Sequence, residues 1–324
     1  MFLSFINDSA SINYDPAKYS CQRLTGVPIY SHYSGRPVYT DIVQGYVGSC
    51  WFLSCLASYL RPGAHLDVRQ KDLMEMIDFY GENQTRRLYK VYLGNTAFIV
   101  DDWVPKEYLY KTPMCLWPIL FEKAMLSLMG WYASTVNGAA GRRLVKFDTD
   151  ARGNKCCREI SNDLGEDNAA AVGLRQIMGC ASTHRYLHDH DDEDQRHYDG
   201  HVNPQITSIE MFKLYRNGHH LLANTSKWSY PRRDFPERVN LNDFGAVQQH
   251  CYAILDIIYS PARKTYILTL YNPWGRRSIV DTDGQIHPIM CDDVTCTTRT
   301  ADHGIFTISW ERFQQVFACV HHTV

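Results

Sequence analysis

The stretch Gln44-Gly45-Tyr46-Val47-Gly48-Ser49-Cys50-Trp51-Phe52-Leu53-Ser54 constrains this chain more than any other, because it sets a cysteine where a glycine-bearing loop turns into an apolar helix. The apolar run predicts a helix from Cys50 to about Leu60. Arg61-Pro62-Gly63 ends it, since proline cannot continue a helix and glycine caps one. Ser49 is a good N-cap residue, which places Cys50 in the first turn. Unpaired amides and the positive end of the helix dipole there favour a thiolate, the nucleophilic form, over a thiol. Gln44, six residues earlier, can bring a side-chain amide to the place where an oxyanion would form.

Two plainer readings compete. A cysteine on an apolar helix is usually a small core residue. The uncharged run from Ile42 to Leu60 also has 19 residues, close to a membrane span. Two glycines, Gln44 and Ser49 interrupt it, and the helical remainder falls short of the ~20 residues a span needs. Composition agrees with a soluble globular protein: 324 residues, 45% hydrophobic, 21% charged. That length allows two lobes. A net charge of −2 gives no reason to expect a nucleic-acid or anionic-membrane partner. Eleven cysteines, an odd number without framework spacing, imply free thiols in a reducing, cytoplasmic compartment. The N-terminus lacks a basic region and is a poor signal peptide.

Along the chain, residues 1–40 read as an N-terminal arm, 41–145 as a cysteine-bearing lobe, 146–205 as an insertion or connector, and 206–324 as a β lobe. Asp72–Tyr80, Arg87–Leu93 and Ala97–Val100 read as antiparallel strands, with Asp72–Met76 open to a helical reading. Leu116 begins a helix to about Met129 with Leu120, Ala124 and Leu128 on one face. Gly165–Gly179 reads as a helix burying Leu174 and Ile177. The His/Asp-rich stretch 184–201 reads as a solvated insertion rather than a metal-binding or pH-sensing loop. Ile209–Arg216 reads as a helix closed by Asn217-Gly218, followed by a buried strand over His219–Ala223. His250 heads an apolar strand, and Lys264–Tyr271 forms the next, running into Asn272-Pro273-Trp274-Gly275. Adjacent antiparallel strands would bring His250 and Asn272 together, with Trp274 over the bond between them. Two weak metal readings use His287, Cys291, Cys296 and His303, or Cys319, His321 and His322; their spacing is not that of structural zinc sites.

Gly48-Ser49-Cys50-Trp51 resembles the papain signature, and Gln-Gly-x-x-Gly-x-Cys-Trp-Phe-Leu resembles the calpains, whose residue before the cysteine is usually Asp rather than Ser49. Val100-Asp101-Asp102 with Pro105, Glu122-Lys123-Ala124, Gly-x-Val-x-x-His250-x-Tyr252 and Asn272-Pro273-Trp274-Gly275 are also similar to calpain motifs, in the family's order. The resemblance runs from about Asp41 to Phe317. It implies an α+β, papain-like two-lobe fold, with a mainly helical lobe carrying Cys50 and an antiparallel β lobe carrying His250 and Asn272. It further implies a cysteine endopeptidase that binds extended polypeptide. Cys50, His250, Asn272 and Gln44 would be catalytic, and Gly48, Trp51 and Trp274 would support the cleft. Protein substrates and a regulatory protein acting in trans are the partners implied. An inactive interaction scaffold or an acyl transferase using the same residues is the alternative.

No cofactor is required for this chemistry. Calcium activates calpains, but only Asp41 remains of the family's ligand positions. Tyr39 stands where calpains have Arg, and Arg276-Arg277 stand where acidic ligands follow Asn-Pro-Trp-Gly. Asp281, Asp283, Asp292 and Asp293 could form a shifted site. A chain closing at Val324 is expected to leave no room for appended calcium sensors, so calcium activation is expected to be weak or absent.

Overall fold

The computed structural model describes residues 2–3, 21–31, 33–45, 48–62, 72–105, 113–128, 131–134, 143–149, 155–159, 169–187, 205–225, 246–247, 249–275, 278–280, 286–288 and 304–324. The chain divides into two compact units, one of residues 1–53 and 66–167, the other of residues 54–65 and 168–324.

The first unit holds β1 (Phe2–Leu3), β2 (Cys21–Arg23) and the start of helix α1 (Cys50–Tyr59). It continues with β3 (Ile77–Glu82), β4 (Arg87–Leu93), β5 (Thr96–Asp101), β6 (Trp103–Pro105), α2 (Trp117–Leu128), β7 (Trp131–Ser134), β8 (Arg143–Thr149) and β9 (Lys155–Glu159). A four-stranded sheet runs β1-β5-β4-β3, with β1 parallel to β5 and the other pairs antiparallel. In β4 the alternation is clean: Tyr89, Val91 and Leu93 are buried between half-exposed neighbours. Helix α2 packs on β4 and β5, burying Trp117, Leu120, Phe121 and Ala124; each such side chain contributes about 1.5–3 kcal/mol for a large apolar residue.

One expectation needs correction here. The unit that carries Cys50 is not mainly helical; strands make up most of its described regular structure. Of the two readings left open for Asp72–Met76, the helical one holds. The Asp72 carboxylate accepts from Met74 N at 3.0 Å and caps a 3-10 turn over Leu73–Met76, so extended backbone starts only at Ile77.

Two sequence motifs of this unit lock each other in place. Buried Asp102 accepts from Arg23 Nε at 2.9 Å and Arg87 Nε at 3.0 Å, and its other oxygen takes the Arg87 amide at 3.0 Å. Buried Asp101 pairs with Lys123, whose ammonium also donates to the Trp103 carbonyl at 2.9 Å. Charges this deep are tolerated because each is paired and hydrogen-bonded.

The second unit holds the rest of α1 and α3 (Ala169–Met178), β10 (Ser182–Tyr186), α4 (Ser208–Arg216), β11 (Leu221–Asn224), β12 (Cys251–Ser260) and β13 (Thr265–Tyr271). A small ribbon of β14 (Ser278–Val280) and β15 (Ile286–Pro288) follows, then β16 (Ile305–Ser309), α5 (Trp310–Val316) and β17 (Cys319–Thr323). Its six-stranded antiparallel sheet runs β10-β17-β11-β12-β13-β16. Central β12 is buried from Cys251 to Leu255, as a strand covered on both faces must be. Tyr252, Ile254, Leu268 and Leu270 pack with Met211 of α4 and Phe313 of α5 in one apolar core.

Caps set the helix starts. Thr207 and Glu210 form a reciprocal capping box on α4, and Ser309 accepts from Arg312 N at 3.3 Å at the start of α5. Gly218, at φ 90°, then turns the chain from α4 toward β11. The reading of residue 184 onward as solvated insertion is corrected at its head. His184, Arg185 and Tyr186 pair in β10 with β17, and Leu187 is buried. Residues 188–201 lie outside the described residues.

Candidate active site

Asn272-Pro273-Trp274-Gly275 is a tight turn whose sequence follows from its geometry. The Asn272 carbonyl accepts from Gly275 N at 2.9 Å, closing a four-residue turn in which proline suits the second position. Gly275 sits at φ 65°, where a side chain is disfavoured. The Asn272 side chain folds over its own turn, Oδ1 accepting from Trp274 N at 3.0 Å. The Asn272 amide is held by the Gly304 carbonyl at 2.9 Å, and the residue is fully buried.

That same Oδ1 lies 2.8 Å from His250 Nε2. A backbone N–H only donates, so the Asn272 atom that receives Trp274 N is the oxygen. His250 Nε2 therefore carries a proton, and Nδ1 is left as the basic nitrogen. Burial pushes His250 down to about 4, against the Asn272 hydrogen bond that raises it, so the ring is neutral at physiological pH.

The backbone of His250 is equally fixed. Thr225 Oγ1 accepts from His250 N at 2.9 Å, Thr225 N donates to the His250 carbonyl at 3.0 Å, and the Thr225 hydroxyl donates to the Val247 carbonyl at 2.6 Å. Val247 N in turn donates to the Tyr252 hydroxyl at 3.0 Å. Gln249, immediately before, adopts φ 49°, a conformation most side chains avoid and one that such a network must hold. The Tyr252 ring meets the imidazole edge-on at 4.8 Å, and the Trp274 ring lies 4.9 Å from it, tilted by 56°. Thr225 has no sequence signal; only the pairing of β11 with β12 brings it here.

Cys50, Gln44, Gly48 and Trp51 belong to the first unit, and His250, Asn272 and Trp274 to the second. Cys50 opens α1 as a half-buried cysteine outside any disulfide. The Ser49 carbonyl accepts from Phe52 N and Leu53 N, both at 3.0 Å, which sets Ser49 at the N-cap position. Its hydroxyl donates to the Glu122 carboxyl of α2, a contact from a residue 73 positions away that sequence gives no means to find. Gln44 and Trp51 are buried, and Gly48 bends the chain into the helix. In the second unit, Ser54 Oγ donates to the Cys251 carbonyl at 2.8 Å and Cys55 Sγ to the Ala170 carbonyl at 3.6 Å, tying α1 to β12 and α3.

The candidate metal ligands fare differently. Asp41 Oδ2 accepts from Trp117 Nε1 at 2.9 Å and Val38 N at 3.2 Å. Among the described residues no group of three or more His, Cys, Asp or Glu could hold a metal ion. Cys319 and His321 share one face of β17, while His322, the next residue, points to the other. The side chain of His287, with Cys291, Cys296, His303, Arg276, Arg277 and the aspartates from 281 to 293, lies outside what is described. Among the described residues no helix is long and apolar enough to cross a membrane.

Residues 31–323 match a family model described as calpain family cysteine protease. Calpain-9 of Mus musculus is 26% identical over 159 residues, covering 45% of this chain and 22% of that protein. The calpain-type cysteine protease DEK1 is 21% identical over 306 residues in Zea mays and over 303 in Arabidopsis thaliana, each covering 89% of this chain and 12% of the relative. The chain thus spans no more than 22% of the length of these relatives. With a family match whose bounds, residues 31–323, enclose the cysteine helix, the buried His250–Asn272 pair and the closing strand, the chain belongs to the calpain family of cysteine proteases.

Proposed function

We propose that this chain is a calpain-type endopeptidase carrying out limited proteolysis of protein substrates in the cytoplasm. Cys50 is the nucleophile, His250 the proton carrier, Asn272 the group that holds the imidazole, and Gln44 with the Cys50 amide the oxyanion donors. The observation that supports this most is the tautomer of His250: Nε2 donates to Asn272 and the neutral ring keeps Nδ1 free to accept a proton. The thiol gives its proton to Nδ1, and the sulfur attacks the scissile carbonyl carbon. The imidazolium then protonates the leaving amine, which departs as the thioester forms. Water, deprotonated by the same nitrogen, hydrolyses the thioester and returns the thiol. Trp274 shields the His250–Asn272 hydrogen bond from water. No cofactor takes part, and a regulatory protein rather than calcium sets the activity.

The test is cleavage of an unfolded protein substrate by wild type and Cys50→Ala, with and without a thiol-alkylating agent. Cys50→Ala is expected to be inactive with its fold retained, and alkylation to silence the wild type. Cleavage by the variant at the wild-type rate overturns the assignment. After chelation, calcium is expected to change peptidase activity by less than tenfold, or about 1.4 kcal/mol; a larger rise defeats the calcium-independent reading.

A further inference from the structure

We propose that Glu122 is a positioning residue that sets the reactivity of Cys50 through Ser49, its neutral carboxyl favouring the thiolate and its ionised form opposing it. This rests on the reading of Cys50 as the nucleophile. The contact itself is unusual chemistry for a helix start. Ser49 occupies the N-cap position of α1, its carbonyl holding the Phe52 and Leu53 amides, and its hydroxyl donates to a carboxyl that comes from α2. Glu122 therefore sits one residue from the cysteine, on the end of the helix whose positive field would otherwise serve the thiolate alone.

Among the described residues, the neighbouring charged groups are turned to other partners. Lys123, its neighbour in α2, is turned to Asp101 and the Trp103 carbonyl, and Asp102 is held by Arg23 and Arg87. Burial and the Ser49 hydroxyl are what act on the Glu122 proton. Burial pushes it up to about 7, and the Ser49 hydrogen bond pulls it down. Below pH 7 the group is mostly a neutral acid beside the helix start. Above it, the proton leaves to solvent and a negative charge stands one hydrogen bond from Ser49, the residue before Cys50, disfavouring a second anion there.

The experiment is the rate of Cys50 alkylation by iodoacetamide across pH, read from the mass of the Cys50 peptide, which reports thiolate reactivity without any proteolysis. Wild type is expected to show a shoulder near pH 7, where Glu122 ionises and holds the thiol back. Glu122→Gln keeps a hydrogen-bond acceptor but cannot ionise; it should lose the shoulder and react about fivefold faster in mildly alkaline solution. Ser49→Ala removes the donor that lowers Glu122, so its shoulder should move to higher pH. A purely structural role would scale all rates without changing the shape of the profile. A Glu122→Gln profile superimposable on wild type overturns the proposal. If that variant does not fold, an unmoved shoulder in Ser49→Ala overturns it equally. Failure of the nucleophile assignment is separate and appears as proteolysis by Cys50→Ala.

Discussion

Two histidine–asparagine pairs flank or lie within the six-stranded sheet of the second unit among the described residues, and only one has its acceptor atom fixed by a backbone N–H. His250 meets Asn272 at 2.8 Å and His321 meets Asn224 at 3.1 Å. Burial lowers both imidazoles, to about 4 and about 3. His321 even has a thiol nearby, Cys319 Sγ at 3.7 Å from Nε2. The difference lies in what surrounds the pair. His250 stands just before β12, after a residue in the left-handed region, and Trp274 N fixes which atom of Asn272 is the acceptor. His321 lies within β17, its Nε2 shared by Asn224 and Cys319, while its Nδ1 and the Asn224 Oδ1 are buried without a hydrogen-bond partner among the described residues. The Cys319 thiol is pushed up to about 12 by burial, which keeps it protonated and inert. The same residue types thus make an imidazole of defined tautomer in one place and core filling in the other.

Replacing the two histidines should separate them most sharply. His250→Ala is expected to lower turnover by at least about a hundredfold, or about 2.7 kcal/mol, since no other group can carry the proton. His321→Ala is expected to leave turnover within about twofold of wild type and to lower the denaturant midpoint instead, as a buried large-to-small change does. Turnover of both variants, measured where circular dichroism shows them folded, checks this. A folded His321→Ala that has lost activity breaks the comparison.

The asparagines give a smaller contrast. Asn272→Ala is expected to cost about tenfold to a hundredfold in turnover, less than His250→Ala, because Trp274 and Tyr252 still pack the ring while the tautomer is no longer fixed. Asn224→Ala is expected to leave turnover unchanged. Equal turnover losses in the two asparagine variants would show that the Trp274 N–H contact does not distinguish them.

Much of this contrast was legible in sequence. The helix at Cys50, the strand after His250 and the turn at Asn272 follow from local apolar runs and turn residues, and antiparallel neighbours then brought His250 to Asn272. What stayed hidden depends on partners remote in the chain. Ser49 read as a helix cap gave no hint of Glu122, and Thr225 gave none of its grip on His250. His184 looked solvated because its neighbours are charged, yet β17 recruits it as a strand. Asp72–Met76 stayed open between strand and helix, and the Asp72 side-chain cap is what decides for the helical turn.

The smallest effect expected is a difference in the pH dependence of stability. Burial first, then the neighbouring His184 and His322, lower His321 to about 3 in the native state. In the unfolded chain an imidazole titrates near its ordinary value of about 6.5. Between these two values the unfolded state holds a proton that the native state does not, so stability rises with pH across the window. The contribution is fully present above about 6.5 and is lost as pH falls toward 3, with a slope of at most about 1.4 kcal/mol per pH unit. His220, lowered to about 4 by burial, adds in the same direction. Glu122, raised to about 7 by burial, works against it, because the unfolded carboxyl gives up a proton the native one keeps. Subtracting His321→Gln from wild type cancels these shared terms and any constant packing penalty. Urea unfolding at a series of pH values from neutral to mildly acid should therefore give a shallower acid slope in the variant, with turnover at neutral pH unchanged. Parallel slopes would mean that His321 does not enter the native state as a neutral, desolvated ring, and the distinction from His250 would then rest on activity alone.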